Sequence, residues 1–209
     1  MTPELKEYLN TFFRYRPEGN GNLRKFNRPF KWQNVEKDLD LINSLNPTLV
    51  LDIGCGDNRY KSLVNNLIGI DIVYNPLVDI VGDFTNLDFQ DNSVDAIIAY
   101  GSINFGDEEL IVKQLQEVYR VLRKDGIICF RGSSGERKFM YKWTEKKCYK
   151  FTKQFNFKLL EKPQIIFRLN NKGELNEKWE DRRSQRDQNN PTVSRSLTRL
   201  WWTWQKVEE

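Results

Sequence analysis

Two short stretches of this chain carry residue types and spacings suited to chemistry. The first is Asp52-Ile53-Gly54-Cys55-Gly56, which follows the apolar run Leu49-Val50-Leu51. Glycines after a buried strand make a tight turn that lets the backbone come close to a ligand bound beyond the strand ends. The second is Gly69-Ile70-Asp71, where an acid at the end of the next strand is placed to accept hydrogen bonds from ribose hydroxyls. Together they indicate a nucleoside-containing cofactor. A dinucleotide fingerprint would need a third glycine where Arg59 stands. The turn also carries Asp52 and Asp57, acids that repel a pyrophosphate and welcome a cation.

Composition excludes other chemistries. The 209 residues carry a net charge of +4 and contain no histidine. Serine–histidine and cysteine–histidine nucleophilic schemes are therefore ruled out, and the commonest transition-metal ligand is missing. Cys55, Cys129 and Cys148 form no close pair, so neither a disulfide framework nor a zinc site is expected; Cys55 reads as a small buried residue. No apolar run reaches the length of a membrane span and no secretory pattern opens the chain, which predicts a cytoplasmic protein. Charge is segregated. Acids dominate from Pro47 to Tyr100 and bases from Arg131 to Lys162, which suits a cationic ligand in one place and an anionic partner in another.

The elements that must position these residues alternate. Helical spacing is expected over 3–15 and 32–45, a loop or lid over 16–31, and strands over 49–51, 67–72, 77–81, 94–100 and 127–131. A short helix is expected over 60–65, an amphipathic one over 108–122 closed by Lys124-Asp125-Gly126, and another over 139–155. Strands follow at 157–169 and 199–207, the latter bearing Trp201, Trp202 and Trp204. Continuously apolar strands alternating with helices predict an α/β fold with a mostly parallel sheet covered on both faces. Residues 1–47 read as a helical extension or lid, and 48–209 as the core, with a polar insertion around 170–196.

At this point the chain resembles the class I S-adenosylmethionine-dependent methyltransferase superfamily, in the branch of small-molecule and tRNA methyltransferases. The matching segments are LVLDIGCGDN (49–58), GIDI (69–72), GDFTNLDFQDNSVDAIIAYGSINF (82–105) and EVYRVLRKDGIICF (117–130), in the family's order and spacing. The resemblance implies a Rossmann-like seven-stranded sheet with an antiparallel C-terminal strand. It implies S-adenosyl-L-methionine as cofactor, S-adenosyl-L-homocysteine as product and no metal. Asp52, Gly54, Cys55 and Gly56 would lie along the methionine portion, with Asp52 near its ammonium group. Asp71 would take the ribose hydroxyls, Ile72 the adenine face, and Asp83 with the Phe84 amide the adenine edge. Tyr100, Gly101 and Ser102 would face the methyl group, which makes Tyr100 and Ser102 the candidate catalytic residues. Asn58 departs from the pattern, standing where many members have a third glycine.

The acceptor is less legible. The turn after the fourth strand reads Tyr100-Gly101-Ser102-Ile103, unlike the N/D-P-P-Y/F/W turn of amino-methylating DNA enzymes, and no cysteine follows a proline as in cytosine C5 enzymes. A small-molecule acceptor is favoured, with 14–32 and 170–195 as lids. The alternative is RNA or another polyanion, held by the basic segment 131–162 with its interleaved Phe139, Tyr141, Trp143, Tyr149 and Phe151, and by Arg14, Arg16, Arg24, Lys25 and Arg28. A third reading is a non-catalytic module that retains only the cofactor fold. Without histidine, Tyr100, Asp107, Glu108 or a bound water would have to serve as base.

Overall fold

The protein's structure is a computed structural model that describes residues 1–13, 32–133, 139–170, 173–175 and 198–207. Of the expected lids at 14–32 and 170–195, residues 14–31, 171–172 and 176–195 lie outside them, as do Arg14 to Arg28, Arg137 and Lys138. In chain order the elements are α1 (Pro3–Phe12), α2 (Val35–Ser44), β1 (Val50–Ile53), β2 (Leu67–Asp71), β3 (Ile80–Val81), β4 (Val94–Tyr100), α3 (Glu108–Val121), β5 (Leu122–Ser133), α4 (Glu145–Gln154), β6 (Phe157–Phe167) and β7 (Thr198–Lys206). The seven strands form one sheet in the order β3-β2-β1-β4-β5-β7-β6. Strands β3 to β5 are parallel, and β7 runs antiparallel to both β5 and β6. This is the Rossmann-like fold with an antiparallel C-terminal strand that the sequence indicates.

Alternation along the central strands supplies two cores. Leu51, Ile53, Ile97, Ala99, Ile128 and Phe130 pack under Ile111, Leu115 and Val118 of α3, Phe151 of α4, and Trp202 and Trp204. The intervening Val50, Ala96, Ile98, Ile127 and Cys129 meet Val35, Leu39 and Ile42 of α2, with Tyr60 and Val64 beside them. Both faces are covered, which is why the strands read as unbroken apolar runs. The three tryptophans are core residues, each at most 1% exposed. Helix α1 forms a third, smaller cluster: its Leu5 and Leu9 pack with Val73 and Ile72 just beyond β2.

Several boundaries differ from the sequence expectation, each for a local reason. Residues 60–65 are turns, not a helix, because Asn58 sits in the left-handed region (φ 46°) and the following amides bond three residues back. The strand expected over 77–81 shortens to Ile80–Val81, since Asn75 captures the Leu77 amide at 2.9 Å and folds 75–78 into a turn. Helix α4 starts only at Glu145, where Thr144 caps it by accepting from the Lys147 amide. Lys124-Asp125-Gly126 does not close α3. It forms a bulge inside β5, with the positive φ (59°) on Asp125.

Candidate cofactor and acceptor site

The loops after β1, β2 and β4 meet at the C-terminal ends of the strands. The amides of Gly54 and Cys55 both donate to the Ile70 carbonyl, at 2.7 and 3.1 Å, which pins the first loop to β2. Gly54 has φ 72°, and a Cβ there would stand 2.5 Å from the Ser102 Cβ, so the β1 and β4 loops touch only because residue 54 is glycine. Gly56 is different: its φ is 55°, but a Cβ would meet nothing within 4 Å. Space above Gly56 is open. Asp71 shapes this cradle by accepting from the Gly56 amide with one oxygen and the Val73 amide with the other, both at 2.9 Å. Each oxygen keeps a lone pair for a further donor. Asp83 accepts from the Thr85 amide and hydroxyl through a single oxygen, beside the buried Phe84.

Asp52 is 3% exposed and its Oδ2 has no hydrogen-bond partner among the described residues. Desolvation pushes its carboxyl up to about 7, the Asp71 charge adding to this and the Arg59 and Arg131 charges opposing it. A buried acid lacking a partner next to an open cradle is what a cationic ligand would complete. The residues therefore fit S-adenosylmethionine, whose ammonium group would satisfy Asp52. Cys55 is buried, and burial followed by the charges of Asp52, Asp71 and Asp79 raises its thiol well beyond the usual range, so it is inert as a nucleophile.

On the acceptor side, the Tyr100 hydroxyl donates to Asp38 Oδ2 on α2, which also accepts from Trp201 Nε1 at 2.7 Å. Burial, then the Asp38 charge, raises the Tyr100 hydroxyl well above its ordinary value. That hydroxyl points under the sheet toward α2, whereas Ser102 Oγ is buried against Gly54 and unpartnered. Asp107 is the N-cap of α3, accepting from the Leu110 amide. Glu108 pairs with Lys150 and accepts from the Tyr141 hydroxyl at 2.6 Å. Both of these acids are engaged structurally. Asn104, 2% exposed, accepts from the Ser133 amide at 3.0 Å and so joins the β4 loop to the end of β5.

Sequence reasoning missed Asp38, Asn104, Asp79 and Arg131. Asp38 had a readable signal, an acid on the apolar stripe Val35, Leu39 and Ile42. Asp79 gathers the Gly69 amide, Lys61 and Asn58 on one oxygen. Its partners are brought together only by the fold, so it had no such signal. The interleaved aromatics of the basic segment are also placed otherwise than a stacking platform requires. Tyr141, Trp143 and Phe151 are buried, and only Tyr149 is substantially exposed. Among the described residues, no cluster of His, Cys, Asp and Glu could hold a metal ion, and no helix is long and apolar enough to cross a membrane.

Comparison with known proteins agrees with this geometry. Residues 51–130 match the family described as a methyltransferase domain. The demethylmenaquinone methyltransferase of Thermotoga maritima is 34% identical over 121 residues, covering 50% of this chain and 51% of that protein. The probable tRNA methyltransferase 9B of Mus musculus is 33% identical over 119 residues, covering 51% of this chain and 24% of that one. The chain thus spans about half the length, or less, of these curated relatives. In fold it is similar to 1,6-didemethyltoxoflavin-N1-methyltransferase of Burkholderia thailandensis, solved with 1,6-didemethyltoxoflavin and S-adenosylhomocysteine bound (TM-score 0.57, 15% identity, 89% of this chain and 80% of that one). The matched domain over 51–130 and the strand order thus agree with the fold of the class I S-adenosylmethionine-dependent methyltransferases.

Proposed function

We propose that the chain transfers a methyl group from S-adenosylmethionine to a small-molecule acceptor held at the C-terminal ends of β4 and β5. The observation that carries this reading is the buried, unpartnered Asp52 carboxylate beside the open Gly56 cradle. When bound, the cofactor supplies a methyl already activated on a sulfonium, so the carbon–sulfur electron pair returns to sulfur as the acceptor's lone pair forms the new bond. The chain's task is alignment and exclusion of water. Asp52 takes the ammonium, Asp71 the ribose hydroxyls, and Asp83 with Phe84 the adenine edge, while Ile72 lies along the ring. Ser102 borders the methyl. Tyr100 acts as a positioning residue, because its hydroxyl is held by Asp38. Helix α1, seated on Ile72 and Val73, covers the adenine end as part of the 1–47 lid. The three free, buried thiols fit a reducing cytoplasm.

RNA is the second reading. It is favoured by Lys142, Lys146, Lys150 and Lys153, exposed on and beside α4, and by the name of the mouse relative. The inward placement of Tyr141, Trp143 and Phe151 weighs against it. Calorimetric titration with S-adenosylmethionine and S-adenosylhomocysteine, on the natural protein and Asp71→Ala, tests the cofactor. Micromolar-range binding lost in the variant supports it, and no heat from a folded protein overturns it. Transfer RNA binding that collapses between low and moderate salt would move the acceptor to RNA.

A further inference from the structure

Arg131 stands at the end of β5, opposite Tyr100 on β4 and Trp201 on β7. Its guanidinium lies 4.8 Å from the centre of the Tyr100 ring and 5.1 Å from that of Trp32. One of its nitrogens, Nη2, donates to the Tyr100 carbonyl at 3.3 Å. The other two, Nε and Nη1, are buried with no hydrogen-bond partner among the described residues. A guanidinium is always charged and presents its donors as a planar fork, so an unmatched fork inside a protein is costly unless something fills it. Elsewhere in the chain a similar fork is filled: Arg120 meets Asp91 and Glu117. No described carboxylate does the same for Arg131. Asp38 on α2 is taken by Tyr100 and Trp201.

The direction of the fork is informative. The row Asp52, Ile98, Cys129 runs across β1, β4 and β5, and Arg131 lies two residues beyond Cys129 on the same face. Its side chain leans toward β4, and so toward Asp52. The two sense each other electrostatically but form no ion pair, so an acid and a base that both lack hydrogen-bond partners among the described residues share one face of the sheet. We propose that Arg131 is the anchor for a planar carboxylate bound between the Tyr100 and Trp32 rings on the Asp52 side of β5, a reading that rests on the cofactor site proposed above. Two molecules bring such a group there. One is the cofactor, through the carboxylate of its amino-acid end; the other is an acidic acceptor. A carboxylate meeting Nη1 together with the second hydrogen of Nη2 makes a bidentate contact at the end of the guanidinium, and the rings exclude the water that would weaken it.

The test compares the natural protein with Arg131→Met and Arg131→Lys, titrating S-adenosylhomocysteine and 5′-methylthioadenosine, which lacks the amino-acid end. Weakening of S-adenosylhomocysteine by about tenfold or more in Arg131→Met, with 5′-methylthioadenosine within about twofold, assigns the carboxylate to the cofactor. If both nucleosides are unaffected, benzoate and its neutral counterpart benzamide are compared by saturation-transfer NMR in the presence of S-adenosylhomocysteine. Benzoate binding to the natural protein alone, without benzamide binding, assigns it to the acceptor. Unchanged nucleoside affinities together with no preference for benzoate overturn the proposal. If the natural protein binds neither nucleoside, the methyltransferase reading fails, while benzoate against benzamide on the free protein still decides Arg131. Should Arg131→Met not fold, Arg131→Lys, which keeps stem and charge but loses the fork, carries the same comparison.

Discussion

The side-chain amide of Asn58 fills the space that a side chain at residue 69 would need: a Cβ on Gly69 would lie 2.5 Å from Asn58 Oδ1. Asn58 stands in left-handed backbone, and its Nδ2 donates to the Leu77 carbonyl at 2.8 Å and to Asp79 at 3.1 Å. The glycine missing from the first loop is thus matched by one in the neighbouring strand. Gly69→Ala should cost about 1–3 kcal/mol, read by urea unfolding. Asn58→Gly should cost about 1–2 kcal/mol through its lost hydrogen bonds. The double variant should be clearly less damaged than the sum, and strict additivity would show that the contact has no energetic weight.

If Asp52 holds the ammonium group as proposed, it should set a pH dependence on cofactor affinity. Its carboxyl is raised to about 7, and only the ionised form attracts an ammonium group. Affinity for S-adenosylhomocysteine should therefore rise with pH through about 7 and level off above about 8. Asp52→Asn should bind more weakly above that point and lose the slope. Calorimetry at several pH values checks both, and a flat profile in the natural protein would separate Asp52 from the ligand.

Asp38 should make stability fall as pH rises. Burial raises its carboxyl to about 6 from 3.8, against the opposing hydrogen bonds of Tyr100, Trp201 and Cys129 and the charge of Lys37. Between these values the folded state keeps a proton that the unfolded chain has released, so the cost grows through the window and is complete above it. Asp38→Asn keeps an acceptor for Tyr100 and Trp201 without titrating. It should be more stable than the natural protein at pH 8, by on the order of 2–3 kcal/mol, and converge with it near pH 4. Denaturant curves at the two pH values give the answer.

Leu9 tests the proposed cover over the adenine end. It is buried with Leu5 against Val73, so Leu9→Ala should loosen α1 at a cost of about 2–4 kcal/mol in local packing. Cofactor dissociation should quicken in stopped-flow measurements, while fluorescence of the remote, buried Trp204 stays unchanged. Unaltered dissociation would detach α1 from cofactor retention.

Legibility followed the range of the interactions. The strands β1, β2, β4 and β5 and helix α3 are declared by local apolar runs and glycine punctuation, so the sequence places them within a few residues. Asp52, Gly54, Asp71 and Asp83 fall at strand ends for the same reason, and the fold gathers them at one end of the sheet. The turn at 60–65 reads as a helix in sequence because Asn58 spends its side chain on partners about 20 residues away. Arg131 reads in sequence as one more base in a basic segment. Its isolation depends on Trp32 and Tyr100, which only the sheet brings to it.

Strand β7 sits between β5 and β6, although it follows both in the chain. During synthesis, β6 therefore emerges from the ribosome with no neighbour to hydrogen-bond, and β5 waits with a bare edge until 198–206 leaves the exit tunnel. That late strand brings Trp201 to Asp38 on one face and Trp202 and Trp204 to Phe130 on the other. One stretch of nascent chain thus locks both layers at once. Closure of the sheet follows the arrival of this strand, and its own indole rings are placed to report it.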